Sequence, residues 1–565
     1  MTFFCDILPL FKEMCSSFYY FAEIFSTMST DQTKISLKEK IGYALGDGAA
    51  NIAWRGVATF LFIFYTDVFG LSPVTVGVLF LVARFSDGIS DVLMGIIGDR
   101  TKSKYGKFRP WILWTAIPLG IILSLLFTSP ELSDSGKIAY AYVTYIVFTL
   151  IYTANNIPYG ALMAVMTGDD KERTSIGSFR MAGAFAGGML VQGALLFLVA
   201  YFGNVDPKIK VDKLDENQYE VAVTATKDVE HVNVKTENGI ALFSWQEAPS
   251  GTGENTPTNN KSFTMEEGGE YTFLLSGEKD ITPDSIVLID QQSGYSTSMY
   301  IMAALLALLM MITFYSTRER VLPPKNQKAD LKQDFKDLVK NKPWLVLLGI
   351  GLLFNIYNSI KQGIVVIYFT HYLNDQLLSA SYLIALSLAS ILGAFLTASL
   401  SKKLGKRNLF IYALLFSGLV NALLVFCTPE NIAGIFSLGI ISELAAAMFP
   451  TLFFVMLGDA ADFSEWKNGR RATGLIYSAG SFATKFGGGI AGAVIGLVLG
   501  AFSYDGQDSS SIQGAFPGMV MLMSWVPAIV TVVAAGLMFL YPLTAKKMDE
   551  ITIDLNQRRA LEDAS

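Results

Sequence analysis

The sequence of 565 residues has few of the side chains that build metal centres. It contains only two histidines and three cysteines. The cysteines, Cys5, Cys15 and Cys427, are too far apart for a metal-binding motif. We therefore expect three free thiols and no zinc site made by the protein.

Charge is also scarce, because only 16% of the residues are charged whereas a soluble domain has about a quarter. The chain is 52% hydrophobic, with a mean hydropathy of +0.42. Apolar runs of about 20 residues recur, and each can cross a bilayer. These features predict a multi-pass protein of the lipid bilayer. No Ser/His/Asp or metal pattern accompanies them, so we expect neither an enzyme nor a nucleic-acid-binding protein.

Basic residues mark alternate loops between the apolar spans. They precede the first span and follow every even-numbered one, whereas the short loops LSPVT, LNDQ and TPEN carry neither Lys nor Arg. The positive-inside rule then predicts cytoplasmic termini in a cell (inner) membrane. The twelve predicted spans are 41–67, 73–98, 110–128, 138–165, 177–202, 297–316, 344–372, 379–400, 408–427, 432–457, 474–502 and 517–542.

A polar, basic linker divides these spans into two sets of six. Similar basic turns, GDRTKSKYGKFRP and SKKLGKRN, follow the second and the eighth span. This layout predicts an all-α major facilitator fold with two six-helix halves around a central site. The predicted parts are an N-terminal extension (1–40), a first half (41–202 and 297–317), an insert (203–296), a linker (318–343), a second half (344–543) and a tail (544–565).

The insert between the fifth and sixth spans is polar. Its stretches YEVAVTATK, HVNVKT, EYTFLL and SIVLI alternate as strands do. The topology therefore predicts a small extracellular β-rich domain. A shielding cap and a role in substrate capture both remain open for it. The first 27 residues are interpreted either as an upstream extension of the reading frame or as an interfacial helix.

The second span carries three charges in the stretch VARFSDGISDVLMG. Asp87 and Asp91 are four residues apart and share one helix face, with Arg84 one turn before. A carboxylate inside a membrane is costly and indicates function. Two acids at this spacing favour a monovalent cation site, and the alternative is an Asp–Arg pair that braces two helices.

Other spans carry polar side chains suited to sugar hydroxyls. Arg55 and Lys361 each need an anion, for which the candidates are Asp47, Asp87, Asp91 or a substrate carboxylate. The full set of polar positions is Asp47, Asn51 and Arg55 in the first span, Thr153, Asn155 and Asn156 before Pro158 in the fourth, Arg180 in the fifth, Asn355, Asn358, Lys361 and Gln362 in the seventh, and Lys485 in the eleventh.

Several motifs together resemble one transporter family. They are GYALGDGAANIAW, YTDVFGLSP, VGVLFLVARFSDGISDVLMG, DRTKSKYGKFRPWIL, YTANNIPYGAL, LGDAADFSEWKNGRRATG and SFATKFGGGI. The chain resembles the glycoside–pentoside–hexuronide:cation symporters, the melibiose permease group of the major facilitators. The resemblance covers nearly everything except residues 1–35 and the insert.

The resemblance implies a site for Na⁺, Li⁺ or H⁺ at Asp87 and Asp91, with Arg84 nearby. It implies that Thr153 and Lys485 link the cation site to the sugar site. It implies no cofactor beyond this coupling ion, and a sugar as substrate; we expect a monomer.

Two positions depart from the melibiose-type pattern. The sugar-binding aspartates of that group are replaced here by Asn51 and Asn156, which resembles the glucuronide and xyloside branches. The family's arginine of the fifth span corresponds to Arg180.

The substrate remains open among three alternatives. Arg55 and Lys361 favour an acidic, uronate-containing sugar, whereas internal pairing of these cations would favour a neutral pentoside. A lysolipid carrier of the same fold is less consistent with so polar a set of side chains. A non-transporting sensor that binds its ligand at the insert is a further hypothesis.

Overall fold

The computed structural model describes residues 35–167, 170–215, 218–236, 242–245, 262–276, 282–283, 286–320, 338–468, 473–506 and 508–563. The predicted N-terminal extension up to residue 34 and linker residues 321–337 lie outside the described residues.

Helices occupy all twelve predicted spans of the described chain. In the first half they are α1 (Leu37–Ile63), α2 (Pro73–Arg100), α3 (Arg109–Leu126), α4 (Asp134–Met166), α5 (Asp170–Phe202) and α6 (Gln291–Ser316). In the second half they are α7 (Lys342–Ile367), α8 (Gln376–Leu404), α9 (Lys406–Leu423), α10a (Ile432–Ala446), α10b (Met448–Asn468), α11 (Thr473–Ala501), α12a (Phe516–Met523) and α12b (Trp525–Met538). The tail forms α13 (Ala545–Asp563). By length and composition, nine of the spans in the described residues can cross a membrane, and the helices outside this set are α1, α2 and α11.

Side-chain caps explain why several helices begin earlier than the predicted 41, 138 and 297. Ser36 accepts a hydrogen bond at the start of α1, Ser133 at the start of α4, and Asp290 at the start of α6. Each cap accepts from a backbone N–H of the first turn, which would otherwise be unpaired. Apolar run length could not locate these starts, because the first turns are polar.

Prolines interrupt two spans of the second half. The tenth span breaks at Ala447 and the twelfth at Ser524. Pro450 and Pro527 follow each break by three residues, and each lacks the N–H that would pair with the carbonyl four residues before it. By contrast, α4 continues through Pro158.

The same helix pairs pack in both halves. In the first half α1 contacts α5 and α6, and α3 contacts α4 and α6. In the second half α7 contacts α11 and α12b, and α9 contacts α10a and α12b. The halves meet through α2 with α11, α5 with α8, and α1 with α7. These pairs follow one pseudo-twofold relation, which places the axial helices α1 and α7 side by side.

The insert is a two-sheet β domain, and its strands include all four that the alternating stretches predict. The strands are β1 (Lys208–Asp215), β2 (Gln218–Thr224), β3 (Val229–Thr236), β4 (Leu242–Trp245), β5 (Ser262–Met265), β6 (Glu270–Ser276) and β7 (Ile286–Asp290). One antiparallel sheet has the order β1-β2-β6-β4 and the other β5-β3-β7. Val221, Phe273 and Leu288 belong to the core between them. Strand β7 leads directly into α6, so the insert is anchored to the membrane helices.

The face of the helical bundle that carries the insert is called the insert side, and the opposite face the linker side. On the linker side, both predicted basic turns contain a glycine with positive φ, Gly106 (φ 107°) and Gly405 (φ 77°). Glu319 accepts backbone hydrogen bonds from Lys107, Phe108 and Arg109 after the first turn, at 2.7–2.9 Å. A carboxylate therefore fixes this basic loop to the end of α6.

Glycines allow α1 and α5 to approach very closely. A Cβ atom at Gly187 of α5 would lie 2.1 Å from the carbonyl oxygen of Gly48 in α1. A Cβ at Gly487 of α11 would lie 2.5 Å from the carbonyl oxygen of Leu352 in α7. Small residues allow this backbone contact between membrane helices. It occurs in the equivalent helix pairs of the two halves, α1 with α5 and α7 with α11.

We predict that Gly187→Ala destabilises the protein, because backbone atoms of α1 cannot move away as a side chain can. Overpacking of this kind costs about 1–3 kcal/mol. Thermal unfolding of the purified protein in detergent measures the effect. Gly177→Ala on the same helix is the control, since a Cβ there meets no atom within 4 Å. Equal melting temperatures for the two variants would contradict this packing.

Candidate functional site

An ion pair is buried near the middle of α2. Arg84 Nη1 donates to Asp87 Oδ2 at 2.6 Å, and Arg84 Nη2 donates to the Tyr145 hydroxyl at 2.9 Å. The Arg84 guanidinium also lies 5.0 Å from the centroid of the Trp54 ring. Arg84 and Asp87 are only 6% and 4% exposed. The nearby arginine therefore compensates the first predicted acid.

Asp91 has a different environment, because its partners come from other helices. Thr153 of α4 donates to Asp91 Oδ1 at 3.0 Å, and Lys485 of α11 forms an ion pair with Asp91 Oδ2. The side chains of Asp91 and Lys485 are 17% and 19% exposed. The structure thus brings three predicted site residues together across the two halves. The Asp91–Lys485 ion pair is partly accessible to solvent.

A second ion pair joins α1 and α5. Arg180 Nε donates to Asp47 Oδ2 at 3.1 Å, and the guanidinium lies 5.4 Å from the Tyr159 ring centroid. Asn51 donates to the backbone carbonyl of Asp47 at 2.9 Å. The Arg180 side chain is 29% exposed, against 9% for Asp47. Arg180 therefore keeps accessible surface beside this pair, and Asn51 next to it is half-buried.

Neighbouring asparagines of α4 have different environments. Asn155 is 1% exposed and donates to Thr115 of α3 at 2.7 Å, so it packs inside the first half. Asn156 is half-buried, as is Asn358 of α7. Asn156 therefore keeps more accessible surface than Asn155.

Lys361 has a partner that the sequence analysis missed. Its ammonium donates to Glu443 Oε2 of α10a at 3.3 Å and to the Tyr357 hydroxyl at 3.2 Å. The proposed counterions Asp47, Asp87 and Asp91 are wrong for Lys361, since Asp47 and Asp91 pair with Arg180 and Lys485. A single acid in the apolar stretch IAGIFSLGIISELAAA was the available signal for Glu443.

Arg55 differs from the other central cations. Its side chain lies along α5, where a Cβ at Gly188 would be 3.4 Å from Arg55 Cγ. Within the described ranges no hydrogen bond or ion pair joins Arg55 to a carboxylate. The other four central cations, Arg84, Arg180, Lys361 and Lys485, each pair with one carboxylate. Arg55 is therefore an excess positive charge among these groups.

A hydrogen-bonded cluster closes the insert side between the halves. His371 Nε2 and Asp67 Oδ2 are 2.6 Å apart, and the Tyr504 hydroxyl donates to Asp67 Oδ1 at 2.7 Å. Burial raises the pKa of Tyr504 well above the ordinary tyrosine value, so its hydroxyl remains a donor. Gln376 also donates to the Tyr295 hydroxyl across the halves at 3.2 Å.

Two π-helical turns position Asp67 and His371 of this cluster. The turn Phe64–Val68 follows α1 and the turn Tyr368–Tyr372 follows α7. Asp67 and His371 occupy the fourth position of FYTDV and YFTHY, which are equivalent segments of the two halves. The sequence analysis did not identify this pair, and the internal repeat was the signal that could have found it.

The twelve-span bundle, with paired charges in its centre and a contact between halves on one side, defines a membrane transporter of the major facilitator type. A family model described as MFS/sugar transport protein matches residues 42–225 and 275–545. The chain belongs to this family, which consists of transporters rather than enzymes, as predicted.

Similar proteins carry related descriptions. The putative glycoside/cation symporter YagG of Escherichia coli (strain K12) is 30% identical over 94% of this chain and 97% of that protein. The isoprimeverose transporter of Lactiplantibacillus pentosus is 30% identical over 93% of this chain and 92% of that protein. The predicted glycoside–pentoside–hexuronide:cation symporter family is thus confirmed.

Solved structures share the fold at low identity. The D-xylose-proton symporter superposes with a TM-score of 0.55 at 12% identity, over 90% of this chain and 98% of that one. A bacterial homologue of the lysosomal transporter Spinster gives a TM-score of 0.60 at 14% identity, over 91% and 97%. At such identities the likeness supports the major facilitator fold alone.

We predict that Tyr504→Phe loosens the closure of the insert side, because Asp67 loses one of its two donors from the second half. A net hydrogen bond of about 1 kcal/mol corresponds to a several-fold larger open population. The readout is the labelling rate of Asn51→Cys, with the three natural cysteines replaced by Ser, by an impermeant maleimide added on the insert side.

Tyr300→Phe is the matched control for this experiment. Its hydroxyl pairs with Thr128 at 3.0 Å within the first half. Labelling should therefore stay at the rate of the parent protein. A Tyr504→Phe variant that labels no faster than this control would contradict the closing role.

Proposed function

We propose that this protein imports a glycoside together with a monovalent cation, Na⁺ or H⁺. The contact that supports this proposal most directly is Asp91 with Lys485 and Thr153, since it joins a carboxylate of one half to an ammonium of the other. A cation at Asp91 would compete with Lys485 for the same carboxylate. Cation binding therefore changes the interaction between the halves, as coupling requires.

The proposed cation ligands are oxygens of Asp91, Asp87 and Thr153. Asp87 and Asp91 lie on one face of α2, and Thr153 already contacts Asp91 at 3.0 Å. A proton would neutralise Asp91, and Na⁺ would be bound by the carboxylate and hydroxyl oxygens. In either case Lys485 is released and can turn to the substrate.

Sugar binding is proposed for the polar side chains around this pair. The amides of Asn51 and Asn156 can donate to and accept from hydroxyls, and Arg180 and Lys485 can donate. With its cation missing, Asp91 remains paired to Lys485 and the sugar site is incomplete. Buried charge is then compensated in the empty carrier, through the Asp91–Lys485 pair, and in the fully loaded carrier, whereas a cation bound without sugar leaves Lys485 without a partner.

The positive-inside rule supports an orientation for this carrier. The basic turns containing Gly106 and Gly405 lie on the linker side, so we place that side and both termini in the cytoplasm. The insert side is then outside, and Asp67, His371 and Tyr504 must separate for substrate to enter. The protein is proposed to act as a monomer in the inner membrane, with the insert as an external cap.

The direct test is uptake into proteoliposomes under separate Na⁺ and H⁺ gradients. The labelled panel contains isoprimeverose, methyl xyloside and a methyl glucuronide. Accumulation of at least one member with one gradient supports the proposal. Failure of every member under both gradients would contradict it.

For Asp91→Asn we predict that glycoside exchange persists while accumulation falls to the equilibrium level. The amide keeps the size of the side chain but removes the charge that the cation must compensate. Exchange and gradient-driven uptake are measured in the same proteoliposomes. Asp459→Asn is the control, because that carboxylate pairs with Lys406 on the linker side at 2.6 Å. Unchanged accumulation by Asp91→Asn would remove this residue from coupling.

Arg55 favours a second candidate, an acidic glycoside, because the central side chains that the structure describes include one more cation than carboxylates. A uronate would pair with its guanidinium through two hydrogen bonds. The glucuronide carrier protein homologue of Escherichia coli (strain K12) is 26% identical over 94% of this chain. The pairing of Lys361 with Glu443, by contrast, favours a neutral sugar.

Arg55→Ala separates the two candidates. For an acidic substrate we expect about a tenfold or greater loss of glucuronide affinity, as for a charged hydrogen bond, with neutral uptake much less affected. The half-saturating concentrations of methyl glucuronide and methyl xyloside are compared. Equal losses for both sugars would exclude carboxylate recognition by Arg55.

A further inference from the structure

A buried ion pair of the second half, between Lys361 and Glu443, has no part in the cation site described above. Glu443 Oε2 accepts from Lys361 of α7 at 3.3 Å, and Glu443 Oε1 accepts from Ser390 of α8 at 2.7 Å. An ion pair moved out of water gains little net stability. Ionisable side chains within membrane spans instead indicate a functional site by default.

Glu443 keeps accessible surface although its partner is enclosed. Its side chain is 17% exposed, against 4% for Lys361. Lys361 is further enclosed by Tyr357, whose hydroxyl also accepts from Asn421 at 3.1 Å. The cluster thus fixes the lysine completely and leaves the carboxylate partly free, which a simple brace between helices does not require.

The first half contributes Arg55 of α1, and α1 packs against α7, the helix that carries Lys361. In the part of the chain described, no hydrogen bond or ion pair joins Arg55 to a carboxylate. Arg55 is half-buried on α1 and Glu443 half-buried on α10a. A donor group in the first half and an acceptor group in the second half therefore each keep some accessible surface.

Sugar hydroxyls suit such a pair, because each hydroxyl can both donate and accept a hydrogen bond. A carboxylate accepts strongly from hydroxyls, and a guanidinium donates to them. We propose that Glu443 is a substrate-binding residue of the second half, which accepts hydrogen bonds from glycoside hydroxyls while Arg55 donates from the first half. This inference rests on the proposed glycoside transport and adds a specificity residue to it.

The arrangement also links sugar binding to closure. Lys361 and Ser390 hold the Glu443 carboxylate from α7 and α8, and a sugar between Glu443 and Arg55 contacts both halves. The sugar is then bound best when the halves are close together. In this role Lys361 is a positioning residue, and Glu443 touches the substrate.

The test combines Glu443→Gln with a series of substrate analogues. The probe is the panel glycoside that the wild type accumulates most, together with its singly deoxygenated analogues. We expect Glu443→Gln to raise the half-saturating glycoside concentration about tenfold or more, as for a charged hydrogen bond. The cation affinity measured in the absence of glycoside should stay unchanged. One deoxy analogue that the wild type discriminates against should no longer be discriminated by the variant.

The double variant Glu443→Gln with Lys361→Met separates binding from bracing. If the carboxylate only neutralises Lys361, removing both groups restores wild-type affinity, and the proposal is overturned. If Glu443 binds sugar, the double variant remains as weak as the single one. Equal discrimination of every deoxy analogue by wild type and variant would also overturn the proposal.

Two further variants keep the result interpretable. Asp459→Asn on α10b is the matched control, and its glycoside affinity should equal that of the wild type. If Glu443→Gln fails to fold, Ser390→Ala is measured on the same analogues: a change confined to one analogue supports the proposal and a uniform or absent change opposes it. A wild type that accumulates no panel sugar rejects the proposed transport itself, whereas normal transport with an unaffected Glu443 variant rejects this inference alone.

Discussion

Charge inside a membrane protein must be compensated, and Asp91 is compensated from the opposite half of the molecule. Its partners are Thr153 of α4 and Lys485 of α11, so the ion pair is also a contact between the two halves. A buried ion pair is sensitive to the loss of either partner, because removing one leaves the other charge uncompensated. Any cation that binds Asp91 therefore changes both the electrostatics of the centre and the contact between halves. Coupling of an ion to a conformational change needs this kind of differential interaction.

The two halves share one packing scheme and use different charges within it. Close glycine contacts join α1 to α5 and α7 to α11, and π-helical turns end α1 and α7 at equivalent positions. Within this shared frame the first half contains the Arg84–Asp87 pair and the second half the Lys361–Glu443 pair. Asp67 and His371 then join equivalent positions directly on the insert side. The symmetry of the backbone is consistent with the proposed alternating access, and the asymmetry of the charges supports the proposal that the cation and the sugar bind at separate places.

Much of the fold could be predicted from the sequence, because the bilayer imposes span length and charge imposes orientation. Local contacts were also predictable: Arg84 and Asp87 lie one turn apart, so helix periodicity alone brings them together. Helix starts were less accurate, since caps such as Ser36 and Asp290 lie in polar segments. The partner of Lys361 was missed, because Glu443 is 82 residues away and a single acid gives no periodic signal. The Asp67–His371 pair, 304 residues apart, depends on how the halves meet, so only the repeat of FYTDV as YFTHY, and not helix periodicity, could have indicated it.

The central claim is that one bound cation and one bound glycoside stabilise each other through the charges at the interface of the halves. Equilibrium binding to the purified wild-type protein tests it most directly. Glycoside affinity is measured with and without saturating Na⁺ and at two pH values, and cation affinity with and without saturating glycoside. The account predicts that the cation raises glycoside affinity by the same factor by which the glycoside raises cation affinity, as thermodynamic linkage requires. Glycoside affinity that is the same at every Na⁺ concentration and pH would contradict it.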